Sequence, residues 1–424
     1  MIKKPVCHPR LLALVLLPLM VALSPVLPSV AQDGTLSVDE AISLARTHHP
    51  ALQALREQMA GASARTRQTF GVSAPRISWF REGLDQDPVT PLSEQRWTVS
   101  QQLDFPLASW YRYRRADTER TAMDAAFNVE EQRVTASIKI AYTTLLHAQE
   151  MVHLREEEVA LSTTLRDAVV TRVEAGEASP LESMKADIQL SDARAKLFDA
   201  ERAFQEARYG VFRSIGLDEE DQQYTISFPD TLLYVDPGIG QDDVLGRLYS
   251  MPELEMADQL ADAAAFGVRA KQAAALPSLQ FDIYAQDLGG GYDHHGFQIG
   301  ISLPLFGAPS QKARVQEAEA FERETDWNRT AVILDLKREA EVAWHGYETS
   351  RAMVAEYQDV VQSRSRELLA RTQEGYALGQ IDLVTLLDTQ RMVLGSEERF
   401  YSALRAYYEH LIRLERFTGY SLVF

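Results

Sequence analysis

"FQIGISLPLFG", Phe297–Gly307, alternates Phe297, Ile299, Ile301 and Leu303 with Gln298, Gly300 and Ser302, meets Pro304, and then runs into a long helical pattern without a turn-rich loop. "WTVSQQLDFPL", Trp97–Leu107, does the same earlier in the chain. In that stretch Trp97, Val99, Gln101, Leu103 and Phe105 share one face, while Thr98, Ser100, Gln102 and Asp104 share the other. Each has a companion strand upstream: "RISWF" at 76–80, and a second in which Leu279, Phe281, Ile283 and Ala285 alternate with Gln280, Asp282, Tyr284 and Gln286. One apolar and one polar face per strand is the two-residue pattern of a transmembrane barrel with a wet interior. A sandwich strand with one solvated face alternates in the same way. Four strands cannot close a membrane barrel alone, and an open sheet in lipid would strand backbone groups at several kcal/mol each. Either other copies of the chain complete the sheet or it lies outside a membrane.

After each second strand the period changes. Val134, Ile138, Ala141, Leu145, Ala148 and Val152 step by fours and threes. In the second half Ile333, Leu336, Ala340, Ala343, Tyr347, Ser350, Val354, Tyr357 and Val361 do so in strict alternation, which is a coiled-coil seam. Leu107 to Gly176 is about 70 residues, roughly 100 Å as continuous helix. Past Gly176 and Gly379 a second helical run returns, to about Ile215 and Thr418, with Leu386, Val393, Phe400, Leu404, Tyr407, Leu411 and Leu414 at heptad-like spacing. Each half therefore holds a long antiparallel hairpin, its distal turn at "EAGEASP" or "ALGQID". Glycine permits the positive φ that such a turn needs.

The halves repeat one another at an offset of about 200 residues. "HHPAL" with Pro50 answers "SMPEL" with Pro252, "FPL" at 105–107 answers "LPL" at 303–305, and "RSIGL" at 213–217 answers "RFTGY" at 416–420. Each half opens with an amphipathic helix, expected over Val38 to about Ser73 and Val244 to about Leu276. The expected organisation is a signal peptide at 1–31, a first repeat at 32–220, a connector at 221–241 and a second repeat at 242–424.

The signal peptide is read from Lys3, Lys4 and Arg10, an apolar run from Leu11, and Ser29-Val30-Ala31 before the cleavage point, so that the mature chain begins at Gln32. Cleavage removes three basic residues and takes the balance from 43 − 61 = −18 to 40 − 61 = −21. An acidic excess argues against a nucleic-acid partner. The single cysteine, Cys7, lies before the apolar run, so the mature chain is expected to carry no disulfide, thiolate metal site or cysteine nucleophile. His294-His295 beside Asp293 suggests a metal pair, but no third ligand stands at a set spacing, and a hairpin loop is the expectation. His147 and His153 are too far apart to share a helical face. There is no G-x-S-x-G, H-E-x-x-H or Walker loop, so neither catalysis nor a cofactor is expected. The final "YSLVF" alternates Tyr420, Leu422 and Phe424 like the closing strand of many outer-membrane barrels, although here it follows a helix.

The repeated order of helix, two strands, long helix, glycine turn and returning helix resembles the TolC-like outer-membrane efflux proteins over essentially the whole mature chain. The carrying residues are "LSVDEAISLARTHHPAL" at 36–52, the Leu-Pro-Leu-Phe strand exit at 303–306, and "GYALGQIDLVTLLDTQRMVL" leading to "LERFTG". "RVEAGEASPLESMKADIQL" at 172–190 is most similar to the CzcC-type heavy-metal cation efflux branch. The resemblance implies a membrane β-barrel joined to an α-helical barrel: a homotrimer in which four strands per chain make a twelve-stranded barrel in outer-membrane lipid, with a coiled-coil tunnel across the periplasm. It implies a passive exit duct of a tripartite pump for metal cations or small toxic compounds. The partners would be a periplasmic adaptor (membrane fusion) protein and an inner-membrane transporter of the RND type. The alternatives are the duct of a type I protein-secretion system and a non-porous periplasmic coiled-coil scaffold. Many relatives carry a lipidated N-terminal cysteine, absent here. Relatives of the type example carry two acidic residues past the second tip as a selective ring; the matching positions are Thr385 and Asp388, so one carboxylate of the pair is kept. Glu182 and Glu374 are further candidates for the periplasmic gate. The adaptor would meet the tips at Gly176, Glu177, Ser179, Gly379, Gln380 and Ile381.

Overall fold

Proline starts four of the helices, because its missing N–H costs nothing at a first helical position and its fixed φ suits the turn. These are α2 (Pro50–Gln68), α3 (Pro106–Glu174), α4 (Pro180–Ile215) and α6 (Pro252–Ala273). The computed structural model describes residues 34–69, 73–83, 94–217, 226–288, 292–302, 308–360 and 364–424. The signal-peptide reading, the Leu-Pro-Leu-Phe exit and Val361 of the second seam lie outside the described residues.

The first half runs α1 (Val38–His48), α2, β1 (Arg76–Glu82), β2 (Glu94–Leu103), α3, α4. The second runs α5 (Gln241–Leu245), a 3-10 turn (Leu248–Ser250), α6, β3 (Ser278–Asp287), β4 (Asp293–Ser302), α7 (Ala308–Val360), α8 (Arg366–Ala377), α9 (Leu383–Thr418). Neither opening helix is continuous as the sequence suggested. Pro50 and Pro252 push the residue before them into extended backbone, with ψ 122° at His49 and 137° at Met251, and the helix restarts at the proline. Phe105 also leaves its expected strand. β2 stops at Leu103, and Phe105 becomes the residue preceding Pro106 at the start of α3.

The four strands form one antiparallel sheet in the order β1-β2-β3-β4, open at both outer edges. Ile77, Val99, Ile283 and Phe297 align at one level across it. They are 68%, 44%, 69% and 77% exposed, so the apolar face has no cover within the chain. The opposite face is polar: Gln102 Nε2 donates to Ser278 Oγ at 3.3 Å and Gln280 Nε2 to Asp282 at 3.0 Å. β2, β3 and β4, ten residues each, suit a tilted crossing of the hydrocarbon layer. Among the described residues no helix is long and apolar enough to cross a membrane.

On the helical side, α3 packs between α2 and α6 near the sheet, with α7 beyond α6. Farther out the order is α4, α3, α9, then α7 and α8. The second seam is buried at Leu336, Ala340, Ala343, Tyr347, Ser350 and Val354, as its spacing requires. The main core lies where α1, α5 and the connector cross the long helices, and it includes Leu36, Val38, Ile138, Phe212, Leu404 and Leu411. Apart from a bridge at Ser227 to Thr35 and Gln241, which opens α5, the connector's described residues form neither helix nor strand, and tyrosine hydroxyls tie them down. Tyr407 donates to the Val235 carbonyl at 2.8 Å, Tyr408 to that of Leu233 at 2.7 Å, and Tyr347 to Asp236 Oδ1 at 2.9 Å.

The C-terminal "YSLVF" is not a strand. Glu415 accepts the backbone N–H groups of Leu422 and Val423 at 2.8 and 3.0 Å, and Lys139 Nζ reaches Glu415 at 2.9 Å, Ser421 Oγ at 2.6 Å and the Val423 carbonyl at 3.1 Å. Phe424 packs against Tyr142 and Tyr408. The tail is held by a buried charge pair, whereas a barrel-closing strand would need a free sheet edge. Glu415→Ala should leave Lys139 buried and unpaired, costing about 3–5 kcal/mol. The expected result is a lower melting temperature and carboxypeptidase trimming of residues 421–424 that spares the wild type; an equally protected tail would contradict it.

His147, on α3, is inside the helical layer, and burial followed by the charge of Arg405 pushes its imidazole down to about 4. The unfolded chain, with an ordinary value near about 6.5, then binds the extra proton, so stability is full above that value and falls as pH drops from there through about 4. His147→Gln should flatten this part of the acid sensitivity in melts between about pH 7 and pH 4; an unchanged profile would contradict it.

Candidate functional site: the helical tips

The two distal turns are built alike. After α3, Gly176 takes φ +75° and the N–H of Glu177 returns to the Arg172 carbonyl at 2.8 Å. After α8, Gly379 takes φ +71° and the N–H of Gln380 returns to the Gly375 carbonyl at 2.8 Å. Ser179 Oγ then accepts the Leu181 N–H at 3.2 Å, and Asp382 Oδ1 the Thr385 N–H at 2.8 Å, so each returning helix starts on a capped end. A side chain at Gly176 would meet open space, so only the left-handed backbone demands glycine there. Gly375 is different: an added Cβ would come within 2.6 Å of Ile381 Cδ1, which places Ile381 against the backbone of α8.

Leu165, Val169, Ala186, Tyr376, Leu383, Leu386 and Leu387 form a small core that joins the hairpins just above the turns. Tyr376 links three helices. Its carbonyl accepts Arg172 Nη1 at 3.1 Å, that guanidinium stands 4.8 Å from the Tyr376 ring centroid, and the phenol donates to Glu182 Oε2 at 3.4 Å. Burial, with the Glu182 carboxylate beside it, raises the phenol's pKa above its ordinary value. The linkage was not legible from spacing, because Arg172, Glu182 and Tyr376 belong to different repeats or opposite arms. Alongside it, Leu161, Thr164, Ala168, Gln373 and Gln390 line a groove of about 590 Å³ between α3 and the α8–α9 pair.

The expected gate residues are not all together. Thr385 and Asp388 lie on one exposed face of α9, while Leu383, Leu386 and Leu387 take the buried face. Asp388 stands 3.8 Å from Arg391 of the same face, so a cation offsets the retained carboxylate. Glu374 is exposed on α8, and Glu182 is half-buried and engaged with Tyr376. His294 and His295 are in β4, not in a loop, opposite Gln286 and Ala285; as strand neighbours they point to opposite faces. No group of three metal-ligating side chains occurs among the described residues.

The comparisons fit this geometry. The family profile described as outer membrane efflux protein matches residues 41–217 and again 248–420. A pyoverdine export outer membrane protein of Pseudomonas putida, OpmQ, is 23% identical over 396 residues, spanning 85% of this chain and 81% of that protein. Two solved channels share the fold: OprN, with a TM-score of 0.77 at 19% identity over 90% of this chain and 89% of the other, and CmeC of Campylobacter jejuni, with 0.77 at 16% over 90% and 85%.

Substituting alanine at Gly379 should cost about 1–2 kcal/mol of local stability, because a Cβ disfavours the left-handed backbone. Amide exchange is expected to speed up at 375–383 and stay unchanged in the core around Tyr407; uniform protection throughout would show that the turn does not depend on this glycine. With two family matches covering the bulk of the chain, a sheet apolar on one face, and paired helical hairpins beneath it, the chain belongs to the outer membrane efflux protein family, its sheet placed in the outer membrane and its helices in the periplasm.

Proposed function

We propose that three copies of this chain assemble into the outer-membrane exit duct of a tripartite efflux pump. The observation that carries the proposal is the pair of open sheet edges, β1 and β4. In lipid every strand edge must be paired. Because the strands alternate in direction, β4 of one copy runs antiparallel to β1 of the next, and three four-stranded sheets make a twelve-stranded barrel with the polar face inward. The helices offer matching free edges: α4 exposes Leu181, Met184 and Ile188 on the stripe away from α3, while α7 and α8 expose Met353 and Leu368. Both the OprN and the CmeC structures are described as outer-membrane channels, which supports the duct reading.

In this reading an inner-membrane transporter of the RND type supplies the work. A periplasmic adaptor meets the tips at Gly176, Glu177, Ser179, Gly379, Gln380 and Ile381. The cargo is a small toxic compound or a metal cation. A ring of three Asp388 carboxylates at the tip would favour cations, and the adjacent Arg391 would weaken that preference.

Single-channel recording in planar bilayers tests both parts. Wild-type protein should form stable pores of mild cation preference. Asp388→Ala should move the reversal potential toward anions and Arg391→Ala toward cations. Pores whose selectivity ignores both substitutions would remove this face of α9 from the gate, and a protein that purifies as a soluble monomer would overturn the duct.

A further inference from the structure

We propose that an outward-facing arginine pair, Arg114 on α3 and Arg269 on α6, binds the phosphodiester of an anionic phospholipid in the inner leaflet of the outer membrane. The inference rests on the outer-membrane placement of the sheet and is independent of cargo or pump partner.

Arg114 Cζ stands 5.1 Å from the Phe266 ring centroid and 6.0 Å from that of Trp110, and Arg269 Cζ stands 5.7 Å from Phe266. Two guanidiniums thus crowd one phenyl ring. Both are exposed, and among the described residues neither has a carboxylate within ion-pair distance. The last turns of α2 and α6 add Arg65, Arg67 and Lys271 at the same end of the helices, in a chain whose formal charge is −18. Two guanidiniums crowded on one ring without a carboxylate partner favour an anion, and paired guanidiniums suit the oxygens of a phosphate.

The direction of this face follows from Arg112. Residues two apart on a helix point roughly 200° apart, so Arg112 lies opposite both Trp110 and Arg114. Its Nη2 reaches Asp104 at 2.6 Å, and it lines a pocket with Gln102, Ser278 and Ser302 from the polar face of the sheet. The polar face is the barrel interior. Arg114 therefore lies on the outer surface, with Trp110 at its margin, where it also borders a cavity shared with Leu103 and Arg112. They are also away from the free edges, since α3 and α6 are flanked by α2 and α7 within the same copy. A neighbouring copy would pair at those edges and leave this face to lipid.

The height fits as well. Arg269 is four residues before the end of α6 and Trp110 four residues into α3, each roughly 6 Å from the sheet end of its helix at 1.5 Å per residue, while Arg114 is eight residues in, roughly 12 Å, and its long side chain snorkels back toward the sheet to reach the headgroups. The headgroup layer is roughly 5–8 Å deep on each side. Side chains on α3 tilt back toward its N-terminus, which is toward the sheet. Trp110, 49% exposed, has the place and amphipathic character of an interfacial anchor.

The test titrates dioleoyl-phosphatidylglycerol, or dioleoyl-phosphatidylethanolamine as the zwitterionic comparison whose own ammonium neutralises the phosphodiester, into full-length protein in neutral detergent, with bound lipids counted by native mass spectrometry. Wild type should retain phosphatidylglycerol in preference. Replacing Arg114 and Arg269 by alanine should weaken that retention by about fivefold per arginine, on the scale of one surface cation near anionic lipid. Arg112→Ala, on the inner face, should match wild type, and the double lysine variant should keep part of the preference by charge alone. Equal preference in wild type and the double alanine variant would overturn the proposal, as would an equal loss in Arg112→Ala. Inorganic phosphate added in place of chloride at constant ionic strength should not displace the lipid; displacement would make the pair a free-phosphate site and also overturn it.

Discussion

Backbone hydrogen bonding at a sheet edge governs the rest of this structure. A four-stranded sheet with an uncovered apolar face is at home in lipid, yet lipid cannot satisfy the N–H and C=O groups along β1 and β4. Only another strand can. An even number of strands per copy leaves the two edges running in opposite directions, which lets identical copies join antiparallel and allows a closed ring. In the proposed assembly that closure fixes where the helices must go: each long helix leaves the sheet at Pro106, or after β4, already committed to the circumference of the barrel.

The helical layer answers a different constraint. α3 contains 69 residues, roughly 100 Å of helix, and an isolated hairpin of that length has little to stop it splaying. The chain crosses its own helices near the middle with α1, α5 and the connector, and the straps are hydrogen bonds from Tyr347, Tyr407 and Tyr408. The same girdle captures the C-terminus through Glu415 and Lys139. Gly216 belongs to it too: a side chain there would strike Pro50, so the end of α4 sits directly on the corner between α1 and α2. Burial is concentrated at this girdle and again at the tips, whereas α4 and the outer arm of α7 and α8 leave apolar side chains exposed, which in the proposed assembly would meet a neighbour.

Periodicity made most of this legible. The seam from Leu336 to Val354 and the strand faces around Val99 and Phe297 depend only on spacing, and each is found where spacing put it. The departures share a cause: local chemistry that a period does not register. Pro50 and Pro252 interrupt helices whose apolar pattern runs on, and Pro106 draws Phe105 out of its strand. The closing "YSLVF" alternates like a strand, but Glu415, in the last turn of α9, accepts the N–H groups of Leu422 and Val423 and folds it onto the core. At the tips, turn glycines were readable because φ restricts the residue type. The Arg172–Tyr376–Glu182 linkage and the cation beside Asp388 were not, since both depend on which side chains meet in space.

Cysteine cross-linking across the seam would show whether β1 of one copy pairs with β4 of the next in a ring of three. One cysteine would replace Ser78 on β1 and a second, in turn, Gly296, Gln298 or Gly300 on β4, in protein assembled in its own outer membrane. One position on β4 should give a covalent ladder ending at three copies, reversed by reductant. No cross-link at any position, or a ladder that continues past three, would contradict it.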